Sequence, residues 1–142
     1  MTGLDTNILV ALVLADHELH APAHALLKRE ILNGEQFALT PDVVSEFLHA
    51  VTDPRRFERP LSMAQALADA RYWWNSAQTC QTFPNKDSTV LCMDWMQRHQ
   101  LGRKRVLDTM LAATLHTAGV QRIFTSNPAD FRLFGVFELL VP

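Results

Sequence analysis

The sequence predicts an α/β fold of three layers, with helices on both faces of a short, mostly parallel central sheet of about five strands. Three observations predict it. Short apolar runs with strand character alternate with longer helical stretches along the chain. Turn and capping signals separate these runs. The 142 residues, 48% apolar and 20% charged, suit one domain spanning 1–142 with a core of its own. In such sheets ligands bind beyond the carboxyl ends of the strands. Residues that directly follow a strand are therefore the first candidates for function.

The elements follow in order. Thr2 to Leu4 reads as the first strand and runs into Asp5-Thr6-Asn7, with a helical stretch expected from Ile8 to Leu14. A second helix, about Pro22 to Leu32, stops at Asn33-Gly34. Phe37 to Leu39 is a second strand, and Thr40-Pro41 supplies an N-cap and a first-turn proline for a helix running to about Thr52. Asp53-Pro54 breaks that helix, and Pro60 closes an Arg-rich loop. Ser62 with Gln65 fits a capping box for a helix reaching about Asn75. Thr79 to Phe83 is a third strand, and a helix from about Ser88 to His99 ends at Leu101-Gly102. Arg103 to Arg105 lead into a helix over about Thr109 to Ala118, stopped by Gly119. Ile123-Phe124 is a fourth strand, and Phe137 to Val141 a fifth.

Composition narrows the function classes. Lys plus Arg number 13 and Asp plus Glu 15, a net charge of −2. No global basic field attracts nucleic acid, so binding to RNA or DNA requires a local patch. The longest uncharged apolar stretch, Ile8 to Ala15, is far shorter than the roughly 20 residues that span a bilayer. No basic segment precedes it, so a signal peptide is not expected. Cys80 and Cys92 form no C-x-x-C pair and no metal-ligand spacing. They read as reduced thiols of a cytoplasmic protein.

Several acidic and polar residues occupy unusual places. Asp5 follows the first strand, where it is either a helix N-cap or a ligand-facing acid. On a helical wheel Glu46 falls at the rim of the apolar arc formed by Val43, Val44, Phe47, Leu48, Ala50 and Val51. There it either snorkels to water or is paired or metal-bound. Asp108 either caps the helix that follows or lies on its side with Leu111, Ala112 and Leu115. Asp130 lies just after strand four in Thr125-Ser126-Asn127-Pro128-Ala129-Asp130-Phe131, where it could merely cap a turn. Together these residues gather at one edge of a parallel sheet. Clustered carboxylates repel unless a cation sits among them, and hard oxygen donors suit Mg²⁺ or Mn²⁺. That donor set serves metal-assisted phosphodiester hydrolysis.

These motifs resemble a known family, the PIN-domain ribonucleases, and within it the VapC-type toxins of prokaryotic toxin–antitoxin pairs. Leu4-Asp5-Thr6-Asn7-Ile8-Leu9, Ser45-Glu46-Phe47, Val106-Leu107-Asp108-Thr109 and Thr125 to Phe131 look like the family's acidic motifs in order. Val51 to Phe57, Arg59 to Ser62, and Asp16-His17 with His20 and Ala23 resemble one VapC subgroup. The resemblance implies a PIN fold and an endoribonuclease dependent on Mg²⁺, with Mn²⁺ as a substitute. Asp5 and Asp108 would be the principal metal ligands, and Glu46 would complete the site directly or through water. Thr6 and Thr125 would orient carboxylates or water. Many relatives carry an acid at the position of Asn127, so either Asn127 or Asp130 would serve as the fourth site residue. The resemblance also implies an RNA substrate, a VapB-type antitoxin and a homodimer.

Other features carry less. His17, His20 and His24 could share a helix face, but no zinc spacing supports a metal there. Arg55, Arg56 and Arg59 form one basic loop, and Arg98, Arg103, Lys104 and Arg105 another. These are the candidates for RNA contact, against the alternative of an ordinary solvated surface. Trp73 and Trp74 lie in a helix and serve either the core or a protein contact. Two competing functions remain: a catalytically weak or inactive nucleic-acid or protein-binding module, which Asn127 favours, and a phosphatase of the haloacid dehalogenase type. The latter needs an Asp two residues after Asp5, where this chain has Asn7.

Overall fold

The chain runs through five three-residue strands and seven helices in the computed structural model, which describes Met1–Pro142. In order these are β1 (Thr2–Leu4), α1 (Thr6–Val13), α2 (His20–Leu32), β2 (Phe37–Leu39), α3 (Pro41–Val51), α4 (Met63–Trp74) and β3 (Thr79–Gln81). Then come α5 (Lys86–Arg98), a 3-10 turn (Arg103–Arg105), α6 (Val106–Thr117), β4 (Arg122–Phe124), α7 (Pro128–Arg132) and β5 (Glu138–Leu140). The strands lie in the order β3-β2-β1-β4-β5, and every neighbouring pair is parallel. The expected sheet is thus wholly parallel rather than mostly so.

The topology itself positions a site. From β1 the chain steps to β2 and then β3 on one side, and afterwards crosses to β4 and β5 on the other. Parallel crossovers are right-handed, so a reversal of direction moves the helices to the opposite face. The helices α1 to α4 therefore cover one face and α5 to α7 the other. The packing agrees: α1 contacts α2 and α3, α3 contacts α4, and α6 contacts α5 and α7. The reversal point lies between β1 and β4, where a crevice opens beyond the strand ends.

The core explains the strands' apolar runs. Leu4, Phe37, Leu39, Ile123 and Phe124 are buried in the sheet, and Ile8, Phe47, Leu115 and Phe131 cover them from the helices. Gly3 lets α6 lie close on β1, because a Cβ there would overlap the Leu115 side chain. That close approach brings the start of α6 to the crevice. At the opposite, N-terminal edge of the sheet, Arg122 is bound by Glu30 at 2.9 Å, Glu138 at 3.5 Å and Glu35 at 3.6 Å.

Local signals were accurate where a cap defines the end. Thr40 caps α3, and the Ser62–Gln65 capping box starts α4. Gly34 and Gly119 adopt φ of +81° and +79°, as the chain reverses after α2 and α6. Boundaries moved elsewhere. The first helix starts at Thr6 and ends at Val13, and α2 starts at His20, since Pro22 in the first turn lacks only an N–H that has no helical partner anyway. A second capping box, Asn85 with Ser88, moves the start of α5 to Lys86. β3 ends at Gln81 and β5 spans only Glu138–Leu140. The sixth helix begins at Val106, so Asp108 sits inside its first turn and is not its cap. Pro128–Arg132 forms a short helix where a turn was expected. Cys80 is exposed, Cys92 is buried, and both are free.

Candidate active site

Asp5 stands at the N-cap position of α1 with extended backbone, φ −86° and ψ 151°, but its side chain makes no cap bond. The carboxylate turns across to β4 instead. Its Oδ2 accepts the Thr125 hydroxyl at 2.6 Å and the Asn7 side-chain amide at 2.6 Å. Asn7 Oδ1 in turn accepts the Ser126 N–H at 3.0 Å, and Thr125 Oγ1 accepts the Asn127 N–H at 3.0 Å. A continuous hydrogen-bonded clasp therefore joins the carboxyl ends of β1 and β4. Asp5 is only 6% exposed. Burial raises its pKa to about 6, against the Thr125 bond, and the neighbouring Asp108 charge adds to the rise.

The other acids arrive from helices. Glu46 of α3 is at the exposed rim that its helical phase predicts, and the Thr6 hydroxyl donates to its Oε2 at 2.7 Å. Asp108, half-buried in the first turn of α6, has a raised pKa. Burial is the main cause, the Asp130 charge adds to it, and Arg105 opposes it. Asp130 lies on α7. Arg105 ends the 3-10 turn and holds both: its Nε is 3.5 Å from Asp108 Oδ2 and its Nη1 is 3.3 Å from Asp130 Oδ1. Its Nη2 donates to the Asp130 backbone carbonyl, while its Nε is buried without a hydrogen bond.

Asp5, Glu46, Asp108 and Asp130 line one cavity of about 200 Å³ with Thr6, Asn7 and Asn127. His17, Arg56 and Phe57 form one of its walls. No three of its acids or His side chains converge into a ready-made metal cage. The oxygens ring the space instead, an arrangement suited to a cation that keeps several of its waters, as Mg²⁺ does. The donors are hard oxygens, and Asp5 and Asp108 are under electrostatic stress that a cation would relieve. The residues present thus fit a divalent cation.

The predicted residues distribute unevenly. Asp5, Thr6, Glu46, Asp108, Asn127 and Asp130 meet around the cavity, with Thr125 directly behind Asp5. The candidate RNA contacts separate. Arg56 reaches the cavity wall, whereas Arg55 folds back onto Asp53 at 3.2 Å and Arg59 lies 3.6 Å from Asp16. Arg103 and Lys104 are exposed on the 3-10 turn. Arg105 departs from that group: one helical turn before Asp108, it points into the acids rather than to solvent. His20 and His24 serve structure, with His20 Nδ1 2.8 Å from the Ala11 carbonyl and His24 Nε2 2.8 Å from that of Leu12. Trp73 and Trp74 are half-buried and pack against the core. Sequence reasoning missed Asn7 as the organiser of Asp5, although its place two residues after a strand-end acid was visible. His17 was visible as one of three histidines that could share a helix face, and Phe57 only as part of a motif.

A family model described as PIN domain matches residues 4–134. Ribonuclease VapC24 of Mycobacterium tuberculosis is 28% identical over 151 residues, spanning 100% of this chain and 97% of that protein. Among solved structures, VapC20 of M. tuberculosis, a Sarcin-Ricin loop cleaving toxin, superposes with a TM-score of 0.72 at 21% identity, covering both chains completely. VapBC2 from Rickettsia felis, bound to a DNA fragment from its promoter, superposes with a TM-score of 0.70 at 14% identity, covering 99% of this chain and 98% of that one.

Proposed function

The chain belongs to the PIN-domain family, and from that premise we propose that it is a metal-dependent endoribonuclease, the toxin of a type II toxin–antitoxin pair. One observation carries this reading. The Asn7–Thr125 clasp aims a buried carboxylate, Asp5, into a cavity ringed by Glu46, Asp108 and Asp130 at the sheet's reversal point. The ribonuclease name of the full-length relative from M. tuberculosis supports it.

Asp5 and Asp108 would hold Mg²⁺, with Mn²⁺ as a substitute. Bound there, the cation supplies a water of lowered pKa and offsets charge on the scissile phosphate. Thr125 and Asn7 keep Asp5 oriented, so no reorganisation of that carboxylate is needed during the reaction. Glu46, held by the Thr6 hydroxyl, would accept a proton from an attacking water. Asn127 and Asp130 complete the rim, and Arg105 limits the net negative charge that would otherwise repel a phosphate. The same reading implies RNA as substrate, a VapB-type antitoxin as partner, a homodimer and a cytoplasmic location. No helix is long and apolar enough to cross a membrane.

The test is RNA cleavage by the purified chain with and without Mg²⁺, beside Asp5→Asn and Asp108→Asn. Metal-dependent cleavage lost in both variants is the expected result. Equal cleavage by wild type and variants would sink the assignment.

A further inference from the structure

The acid cavity is not the largest concavity beside it. A neighbouring cavity of about 430 Å³ lies between the end of α1 and the loop from Arg56 to Leu61. The two share three lining residues, His17, Arg56 and Phe57, so they adjoin each other. At about 200 Å³ the acid cavity has room for a phosphate and a few waters, each taking roughly 30 Å³. The larger one falls within the ~300–1,000 Å³ of small-molecule sites.

We propose that this second cavity is a nucleotide subsite, holding the unpaired base and sugar of the RNA residue next to the scissile phosphate. The inference rests on the ribonuclease reading for the identity of the strand, and on the following chemistry for the site. Leu14, Leu61 and Phe57 line it with apolar side chains, and Phe57 is itself backed by the core. Single-stranded RNA is bound by laying bases on such apolar and aromatic surfaces. Arg56 stands at the junction of the two cavities and has no ion-pair partner, although Arg55 and Arg59 beside it are both paired. A free guanidinium at that point meets the phosphate that links the bound nucleotide to the cleaved bond. Asp16 and Glu58 also line the outer cavity. They disfavour a phosphate deep inside and leave the uncharged base as the part that enters. The Arg59–Asp16 pair is exposed at both ends, 84% and 74%, so it offers little resistance to an entering ligand.

The experiment is amide chemical-shift mapping of the metal-free chain with millimolar AMP, GMP, CMP and UMP as probes. It is repeated on Ala15→Trp, which fills the cavity from an exposed position outside the acids. The expected result is shifts centred on Ala15, Phe57 and Arg59, with binding weakened roughly tenfold in Ala15→Trp, the scale of losing one base contact. Absence of shifts in this cavity, or shifts unaffected by Ala15→Trp, would overturn the proposal. So would a variant that loses affinity for an antitoxin peptide while still binding nucleotides, since the cavity would then belong to a protein partner. The two readings fail separately. Nucleotide binding here by a chain that cleaves no RNA would leave a nucleotide-binding cavity but remove both the ribonuclease and the subsite's place beside a scissile phosphate. Cleavage without nucleotide binding would do the reverse.

Discussion

The Thr125 hydroxyl donates to Asp5 Oδ2 at 2.6 Å, tying the residue after β4 to the residue after β1 across 120 positions of sequence. These two strands flank the reversal point of the sheet. The bond fixes a carboxylate that a helix cap would otherwise have used.

Thr125→Val keeps the shape and removes that donor. Divalent-metal affinity and RNA cleavage should each fall by about 10–100-fold, as when other oriented ligands lose their supporting bond. Calorimetric Mn²⁺ titration beside cleavage assays checks this. Unchanged affinity would mean that Asn7 alone orients Asp5.

Asp5 gives a pH dependence of unusual sign. Its folded pKa, about 6, lies above the ordinary aspartate value of 3.8. The folded state therefore binds the proton more tightly, and the metal-free protein should gain stability as pH falls through 6. The penalty for the ionised carboxylate is fully present above that range, on the order of 1–3 kcal/mol. Asp5→Asn should therefore raise the melting temperature at pH 7 without metal, and lose the stabilisation that Mg²⁺ gives the wild type. Thermal melts between pH 5 and 7.5, with and without Mg²⁺, measure both effects (pH values roughly bracketing the titration). A variant less stable than wild type at pH 7 would contradict the assigned cause.

Arg105 offsets the charges of Asp108 and Asp130. Arg105→Met should tighten Mn²⁺ binding roughly ten- to thirtyfold, the effect of removing one water-screened unit charge at roughly 4–6 Å from a divalent ion. Looser binding would show instead that Arg105 matters by positioning Asp130 through its backbone carbonyl.

At the other edge of the sheet, Arg122→Met leaves Glu30 buried without its strand partner. A loss of about 2–4 kcal/mol at neutral pH is expected. Arg29 first, and then Arg122, hold the Glu30 carboxyl below its ordinary value. The stability from these pairs is present above pH ~4.5 and fades as pH falls through the lowered pKa. Urea unfolding at neutral and at acid pH should show the variant's deficit shrinking in acid. A deficit that persists would assign it to lost packing of the arginine stem.

The legible part of this protein was local. Thr40-Pro41 and Ser62 with Gln65 mark helix starts because a cap needs only residues three positions apart. The five apolar runs mark strands, and the rule of strand carboxyl ends pointed to Asp5 and Thr125 before any geometry was known. The helix start at Val106 was less legible, because the 3-10 turn of Arg103–Arg105 continues into it without a cap side chain. That ambiguity left Asp108 between cap and site residue.

By itself, then, the sequence determined the alternation of elements, the helix caps and the identity of the acids. Tertiary structure alone decided what those acids do. It made Asp5 a clasped site carboxylate instead of a cap, attached Glu46 to Thr6, and turned Arg105 from the surface into the acids. The physical reason is distance along the chain. Caps and periodicity are set by neighbours a few residues away, whereas Asp5–Thr125 and Thr6–Glu46 are separated by 120 and 40 positions. Only the order of the strands, and the close seat of α6 on Gly3, brings such partners within reach.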